Sequence, residues 1–208
     1  MKNLHILVTV AAVVLSAMPL FAFDKAGVAQ TVENLKAAIT GETTASRKYA
    51  AYATKAKEEG YLQIALLFDA ASKAEAIHAA NHRAVVEQMG STMGSVQPEF
   101  VVRSTKENLE DAVRGETYES STMYPGFIKL ASASKSNTAL LSFNYAYKTE
   151  QKHKELYSRA LAALKENRAS ALPGKYFVCT TCGNTYDNEA AARCGICMTP
   201  KDRFIEIQ

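Results

Sequence analysis

The sequence predicts an all-α protein, a four-helix bundle followed by a small four-cysteine metal module. Three observations predict it. Apolar residues recur at three- and four-residue spacing along four long segments. Each of those apolar seams carries acid in its middle, at Glu42, Glu75, Glu116 with Glu119, and Glu150. All four cysteines fall near the C-terminus as two Cys-x-x-Cys pairs.

Composition agrees. The chain has 208 residues, 48% hydrophobic and 22% charged, enough for one good core and a small appendage. Ala is abundant, Trp is absent and there are only 5 Pro, a mix that favours helix. The net charge of +3 makes no electrostatic case for nucleic acid.

The N-terminus differs in kind. After Lys2, the stretch from Ile6 to Met18 carries no formal charge. Pro19 and Leu20-Phe21-Ala22 follow, then Asp24. This reads as a signal peptide over residues 1–22, cleaved after Ala22. The apolar core falls short of the ~20 residues a membrane span needs. No cysteine lies near the cleavage point to carry a lipid. The expectation is an exported, periplasmic protein with no membrane span after cleavage.

The bundle is expected over residues 23–168. Helix one runs from Val28 to about Glu59, with Leu35, Ile39, Glu42, Ser46, Tyr49 and Ala53 on one face and Gly60 as its C-terminal stop. Helix two carries Ile64, Phe68, Ala71, Glu75, His78, His82 and Val85 on one seam. A Gly- and Ser-containing connection spans Gly90 to Val102. Ser104 and Glu107 form a capping-box pattern opening helix three, whose seam runs Leu109, Ala112, Glu116, Glu119, Met123 and Leu130. Ser136-Asn137 interrupts, and helix four carries Phe143, Ala146, Glu150, His153, Tyr157 and Ala160. Asn167 to Gly174 reads as a linker, and residues 175–208 as the cysteine module.

The segment Asn34 to Glu42 resembles Asn108 to Glu116, and each copy is followed by a helix bearing Glu-x-x-His. The offsets nearly match: 75 − 42 = 33 and 150 − 116 = 34. Two helical hairpins joined by a longer connection suggest a bundle of the ferritin-like kind with one crossover.

Acid in a bundle seam is costly unless something neutralises it. A Glu and a His three residues apart share one helix face, so Glu75-His78 and Glu150-His153 can each aim at one point. A solvated face explains a single such pair, but two at equivalent places in a repeat point to metal. Two ions bridged by carboxylates account for the cluster. Oxygen and imidazole donors suit iron or manganese better than zinc.

The segments Gly41-Glu42 through Tyr49, Glu75 to His78, Gly115-Glu116 through Tyr124-Pro125, and Glu150 to His153 resemble the rubrerythrin family, with the cysteine module adding to the match. The resemblance implies two iron ions, with Glu75 and Glu150 as bridges. Glu42 is then a terminal ligand of one ion, and Glu116 with His153 of the other. It implies that Glu119 and His78 alternate on the first ion with redox state. It places Tyr49 and Tyr124 beside the metals, hydrogen-bonding a ligand or peroxide. His82 stands where the family usually has an apolar residue, and reads as a packed or partly exposed histidine.

The cysteines are Cys179, Cys182, Cys194 and Cys197, with 194 − 182 − 1 = 11 residues between the pairs. This spacing suits a tetrahedral thiolate site of rubredoxin-like or zinc-ribbon type. Cys182-Gly183 and Tyr186 resemble the first rubredoxin knuckle. Gly195, Met198 and Asn184 depart from the pattern, leaving zinc beside iron. Export leaves disulfides open as well.

The function that the resemblance implies is a peroxidase reducing hydrogen peroxide to water in oxidative-stress defence. Electrons would come through the cysteine site from a redox donor protein of unknown identity, and transfer between subunits implies a homodimer. The alternatives are a ferritin-like ferroxidase and a zinc-stabilised, non-enzymatic envelope protein.

Overall fold

A computed structural model describes residues 24–208. The expected signal peptide lies outside the described residues. Five α-helices build the bundle: α1 (Lys25–Glu58), α2 (Leu62–Gln88), α3 (Thr105–Tyr118), α4 (Tyr124–Ala133) and α5 (Asn137–Lys165). Among the described residues no helix is long and apolar enough to cross a membrane.

The helix ends follow local chemistry. α1 starts three residues earlier than its apolar periodicity suggests, because the Asp24 carboxylate accepts from the Gly27 N–H and caps it. Gly60 follows the C-terminus of α1 at φ +83°, a conformation that costs glycine little. The Ser104–Glu107 capping box opens α3 as expected.

The expected third helix is one continuous run with a wider turn inside it. Glu119–Met123 is π-helical and separates α3 from α4. Pro125 stands just after this turn and has no N–H to give the preceding turn, so the helix widens where that bond is missing. The one-residue mismatch between the copies has its physical form here. Glu42 precedes Tyr49 by seven residues and Glu116 precedes Tyr124 by eight. The extra residue is absorbed by the π turn, and the two tyrosines still reach equivalent places.

Two apolar clusters fill the bundle. One gathers Tyr49, Tyr52, Phe68, Leu109 and Tyr157. The other gathers Leu35, Ile39, Val86, Tyr124 and Phe143. Along α1, α2, the continuous run of α3 into α4, and α5, the acidic residue falls between the stretches that feed the two clusters, so the carboxylates form a polar layer with an apolar cluster on each side.

The cysteine module is a three-stranded antiparallel sheet, β1 (Tyr176–Cys179), β2 (Thr185–Asp187) and β3 (Phe204–Ile207), in the order β2-β1-β3. It does not stand apart from the bundle. Tyr176 and Val178 belong to the same core cluster as Phe68 and Tyr157. The linker thus joins two parts of one packed body.

Candidate metal centre

Glu42, Glu75, Glu116 and Glu150 are each at most 1% exposed, and so are His78 and His153. Their would-be ligand atoms converge in two groups. Glu42, Glu75, His78 and Glu150 form one; Glu75, Glu116, Glu150 and His153 form the other. Glu75 and Glu150 are common to both, and they divide their oxygens between the histidines. Glu75 Oε2 is 3.0 Å from His78 Nδ1, and its Oε1 is 3.0 Å from His153 Nδ1. Glu150 sets Oε1 2.9 Å from His78 Nδ1 and Oε2 2.9 Å from His153 Nδ1. A carboxylate that serves two centres must be arranged in this way.

The remaining bonds of the histidines fix their tautomers. His78 Nε2 lies 3.0 Å from the carbonyl oxygen of Cys182. A carbonyl only accepts, so Nε2 carries a proton, and Nδ1 is the nitrogen whose lone pair would face a metal ion set among the carboxylates. His153 Nε2 donates to Thr185 Oγ1 at 2.9 Å, while that hydroxyl donates onward to the Gly183 carbonyl at 3.1 Å. Both histidines therefore present Nδ1 to the bundle centre and are held from behind by the cysteine module.

The set fits a pair of metal ions. Glu42 Oε2, both oxygens of Glu75, Glu116 Oε2, Glu150 Oε1 and His78 Nδ1 are buried with no hydrogen-bond partner. Groups of this kind are costly to orphan. Four carboxylates and two neutral imidazoles also balance the charge of two divalent ions.

Without metal the layer binds protons instead. Burial, then the charge of Glu150, pushes Glu42 up to about 8. Burial and the charges of Glu150 and Glu75 likewise push Glu116 well above the carboxylate range. Burial works against the charged forms of Glu150 and both histidines. Contact with the histidines nevertheless holds Glu150 at about 2, and contact with the carboxylates raises His78 and His153.

Tyr49 donates to Glu116 Oε1 at 2.7 Å, and Tyr124 donates to Glu42 Oε1. Burial, then these carboxylates, raises both phenols well above their usual value, so both stay protonated donors. Each tyrosine comes from the opposite repeat to the acid it touches. Glu119 is the one expected ligand outside both groups. It begins the π turn, keeps partial exposure, and is pushed well up by burial and by the charges of Glu42 and Glu116. His78 is turned in and Glu119 stands off. His82 is fully buried, which excludes the partly exposed alternative.

The four cysteines are free, three of them buried, and their sulfurs converge. Cys179 and Cys197 lie 3.4 Å apart and Cys182 and Cys194 3.5 Å apart. A disulfide needs about 2.05 Å; four thiolates at about 2.3 Å from one ion stand roughly 3.8 Å apart. The departures from the rubredoxin pattern have local partners. The Gly195 N–H donates to the Tyr186 hydroxyl at 2.8 Å, a bond proline could not make. The Asn184 amide donates to Cys194 Sγ at 3.6 Å. Met198 occupies φ +64°, where a side chain is strained.

An acid on each of four helical segments, with two Glu-x-x-His pairs enclosed in one bundle, defines a ferritin-like di-iron carboxylate protein. The rubredoxin-like cysteine site, consistent with iron or zinc, narrows the class. The chain belongs to the rubrerythrin family, whose family model matches residues 33–161. It is 40% identical over 184 residues to nigerythrin of Nitratidesulfovibrio vulgaris, covering 87% of this chain and 88% of that protein. To rubrerythrin-2 of Clostridium acetobutylicum it is 34% identical over 178 residues, covering 85% and 96%. A solved structure of nigerythrin in its fully reduced, all-ferrous state superposes with a TM-score of 0.77 at 38% identity, covering 85% of this chain and 86% of that one.

Several functional contacts were not anticipated from sequence. Asn81 donates to the Thr181 carbonyl at 2.8 Å and Thr149 to the Cys182 carbonyl at 3.3 Å, so both help seat the cysteine module. Nothing periodic marks these residues. Pro125 and the unequal repeat offsets were the available signals for the π turn.

Proposed function

We propose that this protein reduces hydrogen peroxide to water at the bundle's iron pair, with electrons relayed one at a time from an iron at the four cysteines. The observation that carries this reading is the hydrogen bond from His78 Nε2 to the Cys182 carbonyl. One imidazole faces the carboxylate layer with Nδ1 and touches a cysteine residue with Nε2, so the two sites are separated by a single side chain. When bound, the iron pair supplies the two electrons that cleavage of an O–O bond consumes. The protein's own residues do the rest. Glu75 and Glu150 would bridge the pair, Glu42 and Glu116 with His153 would hold its outer positions, and Tyr49 and Tyr124 present protonated hydroxyls. Glu119 and His78 would be the exchangeable pair: a neutral imidazole would suffice for the reduced site, and a fifth carboxylate would offset the added charge of the oxidised one.

The contact between His78 and Cys182 lies within one chain, which supports a route inside the subunit beside the expected transfer between subunits. We propose a homodimer as the assembly, and an exported, periplasmic protein that draws electrons from a donor protein. The ferroxidase alternative gives no role to the contact between His78 and the cysteine module.

Steady-state peroxide consumption with a reduced rubredoxin-type donor tests the reading. The iron-loaded chain should turn over, and Cys182→Ser should stop turnover while a chemically reduced iron pair still consumes one equivalent of peroxide. Equal steady-state rates in both proteins would remove the cysteine site from the account.

A further inference from the structure

His82 is absent from both ligand groups, yet it is fully buried and hydrogen-bonded at both ring nitrogens. Its Nε2 is 3.0 Å from the Tyr124 hydroxyl, and its Nδ1 is 2.7 Å from Ser142 Oγ. Tyr124 in turn donates to Glu42. Beyond Ser142 lies a surface cleft of about 250 Å3 that Asn81, Gln88, Thr138, Ser142 and Tyr145 help to line. The four side chains therefore form one unbroken hydrogen-bonded file from a surface cleft to the edge of the metal layer.

The order of protons along the file follows from its ends. With Glu42 ionised, as a metal ligand must be, its oxygen accepts and Tyr124 donates. The single phenol proton is then committed, so Tyr124 can only accept from His82 Nε2–H. Nδ1 is left as acceptor, and Ser142 donates to it. Every bond then points toward Glu42. The imidazole is well suited to this neutral role, since burial above all holds it down at about 3.

The other tyrosine lacks such a file. Behind Tyr49 stand the rings of Tyr52, Phe68 and Tyr157 at 5.4 to 6.1 Å, and the Tyr157 hydroxyl has no partner. Among the described residues, a hydrogen-bonded file reaches a surface cleft on the Tyr124 side of the metal layer, and aromatic rings back the Tyr49 side.

We propose that Ser142, His82 and Tyr124 form a proton-delivery file serving the metal site, with His82 and Ser142 as positioning residues that orient Tyr124 and feed it protons. The proposal rests on the peroxidase reading, in which H2O2 takes two electrons, supplied through the cysteine site by the donor protein, and two protons to give two waters. In one passage a cleft water gives a proton to Ser142 Oγ as the Ser142 O–H proton moves to His82 Nδ1. The Nε2 proton moves to the Tyr124 oxygen as the phenol proton leaves toward Glu42 and the peroxide oxygen. Each group gains one proton as it gives one, so no group in the file changes charge; the cleft water is left as hydroxide, and His82, now protonated at Nδ1, returns to its Nε2–H tautomer as the file reorients before the second proton passes.

Two measurements test it, one of them independent of activity. In the zinc-loaded full chain, 15N NMR of the histidines should find His82 neutral with its proton on Nε2. A proton on Nδ1, or a doubly protonated ring, reverses or breaks the file and overturns the proposal. In the iron-loaded chain, Ser142→Ala and His82→Leu should slow single-turnover peroxide reduction about tenfold or more and change its solvent isotope effect. Ser142→Thr, which keeps the hydroxyl, should restore the rate. Because His82→Leu fills a buried polar site with an apolar group, the serine pair decides if that variant fails to fold. Wild-type rates and isotope effect in Ser142→Ala sink the relay alone. An iron-loaded wild type that leaves peroxide intact sinks the peroxidase reading itself.

Discussion

Gly183 is the place to test the junction between the two sites. It follows Cys182 at φ +78°, and a Cβ added there would stand 2.4 Å from His78 Nε2 and 3.2 Å from the Ala74 carbonyl oxygen. Ordinary contact needs about 3.5 Å, so Gly183→Ala requires the module to withdraw by roughly 1 Å. That is enough to break the 3.0 Å bond from His78 to the Cys182 carbonyl. The left-handed backbone costs alanine about 1–2 kcal/mol. A buried N–H left without its acceptor costs about 1–3 kcal/mol more. The strain falls on docked and undocked protein alike, so the lost bond alone, about 1–3 kcal/mol, lowers the docked population relative to the undocked, by about 5-fold at its low end. Gly60→Ala is the control, because Gly60 shares the left-handed conformation at φ +83° with nothing within 4 Å of its added Cβ. The assay is reoxidation of the cysteine-bound iron after peroxide is mixed with fully reduced protein. Gly183→Ala should slow it strongly while metal content holds, and Gly60→Ala should leave it alone. Equal slowing in the two, or none in Gly183→Ala, would refute the junction.

Glu75→Ala and Glu150→Ala should each lose both bundle metals, counted per chain, because each carboxylate faces both histidines; retention of the wild-type count would end the bridging assignment. Glu119→Ala should keep both metals and slow peroxide reduction, with the oxidised pair perturbed more than the reduced one, since His78 already stands in the cluster and Glu119 outside it. Asn184→Leu removes an N–H donor from Cys194 Sγ. The reduced cysteine site carries the extra negative charge, so its potential should fall, by on the order of 40 mV for a bond worth ~1 kcal/mol; an unchanged potential would show that this amide does not tune the site. Metal-free protein should lose stability between about pH 5 and 8. Glu42, raised from 4.5 to about 8, together with Glu116 and Glu119, holds protons in the folded state that the unfolded chain has released. The raised His78 and His153 act in the same direction above their usual 6.5, while His82, depressed to about 3, opposes them as pH falls. Metal loading displaces these protons, so the melting-temperature gap between loaded and metal-free protein should widen with pH, by on the order of 10 °C; a gap that is flat or narrows would contradict the proton-for-metal exchange.

The parts of the site that were legible in the sequence are those fixed by helical spacing. Glu75 with His78, and Glu150 with His153, share a face whatever the bundle does around them, and an acid in an apolar seam announces itself by its cost. The cysteine pairs are equally local. What was not legible depends on contacts between distant segments. The cysteine module reads as a separable unit after a linker, yet Tyr176 and Val178 complete the bundle core, and Cys182 and Thr185 hold the two histidines from behind. His82 looks like one more seam residue until Tyr124 and Ser142, 42 and 60 positions away, meet its two nitrogens. The π turn lay between these cases. A one-residue difference between the repeats was visible, but only the backbone shows where the extra residue is absorbed.

The most direct test of the account is a stopped-flow experiment on the full chain with iron in both sites, fully reduced and mixed anaerobically with limiting peroxide. Peroxide concentration and the absorbance of the cysteine-bound iron are followed together. Electron relay from the cysteine site to the bundle predicts that peroxide disappears at once and the cysteine-bound iron then reoxidises within the same turnover, in proportion to the peroxide added. Peroxide consumed while the cysteine-bound iron stays reduced would contradict it.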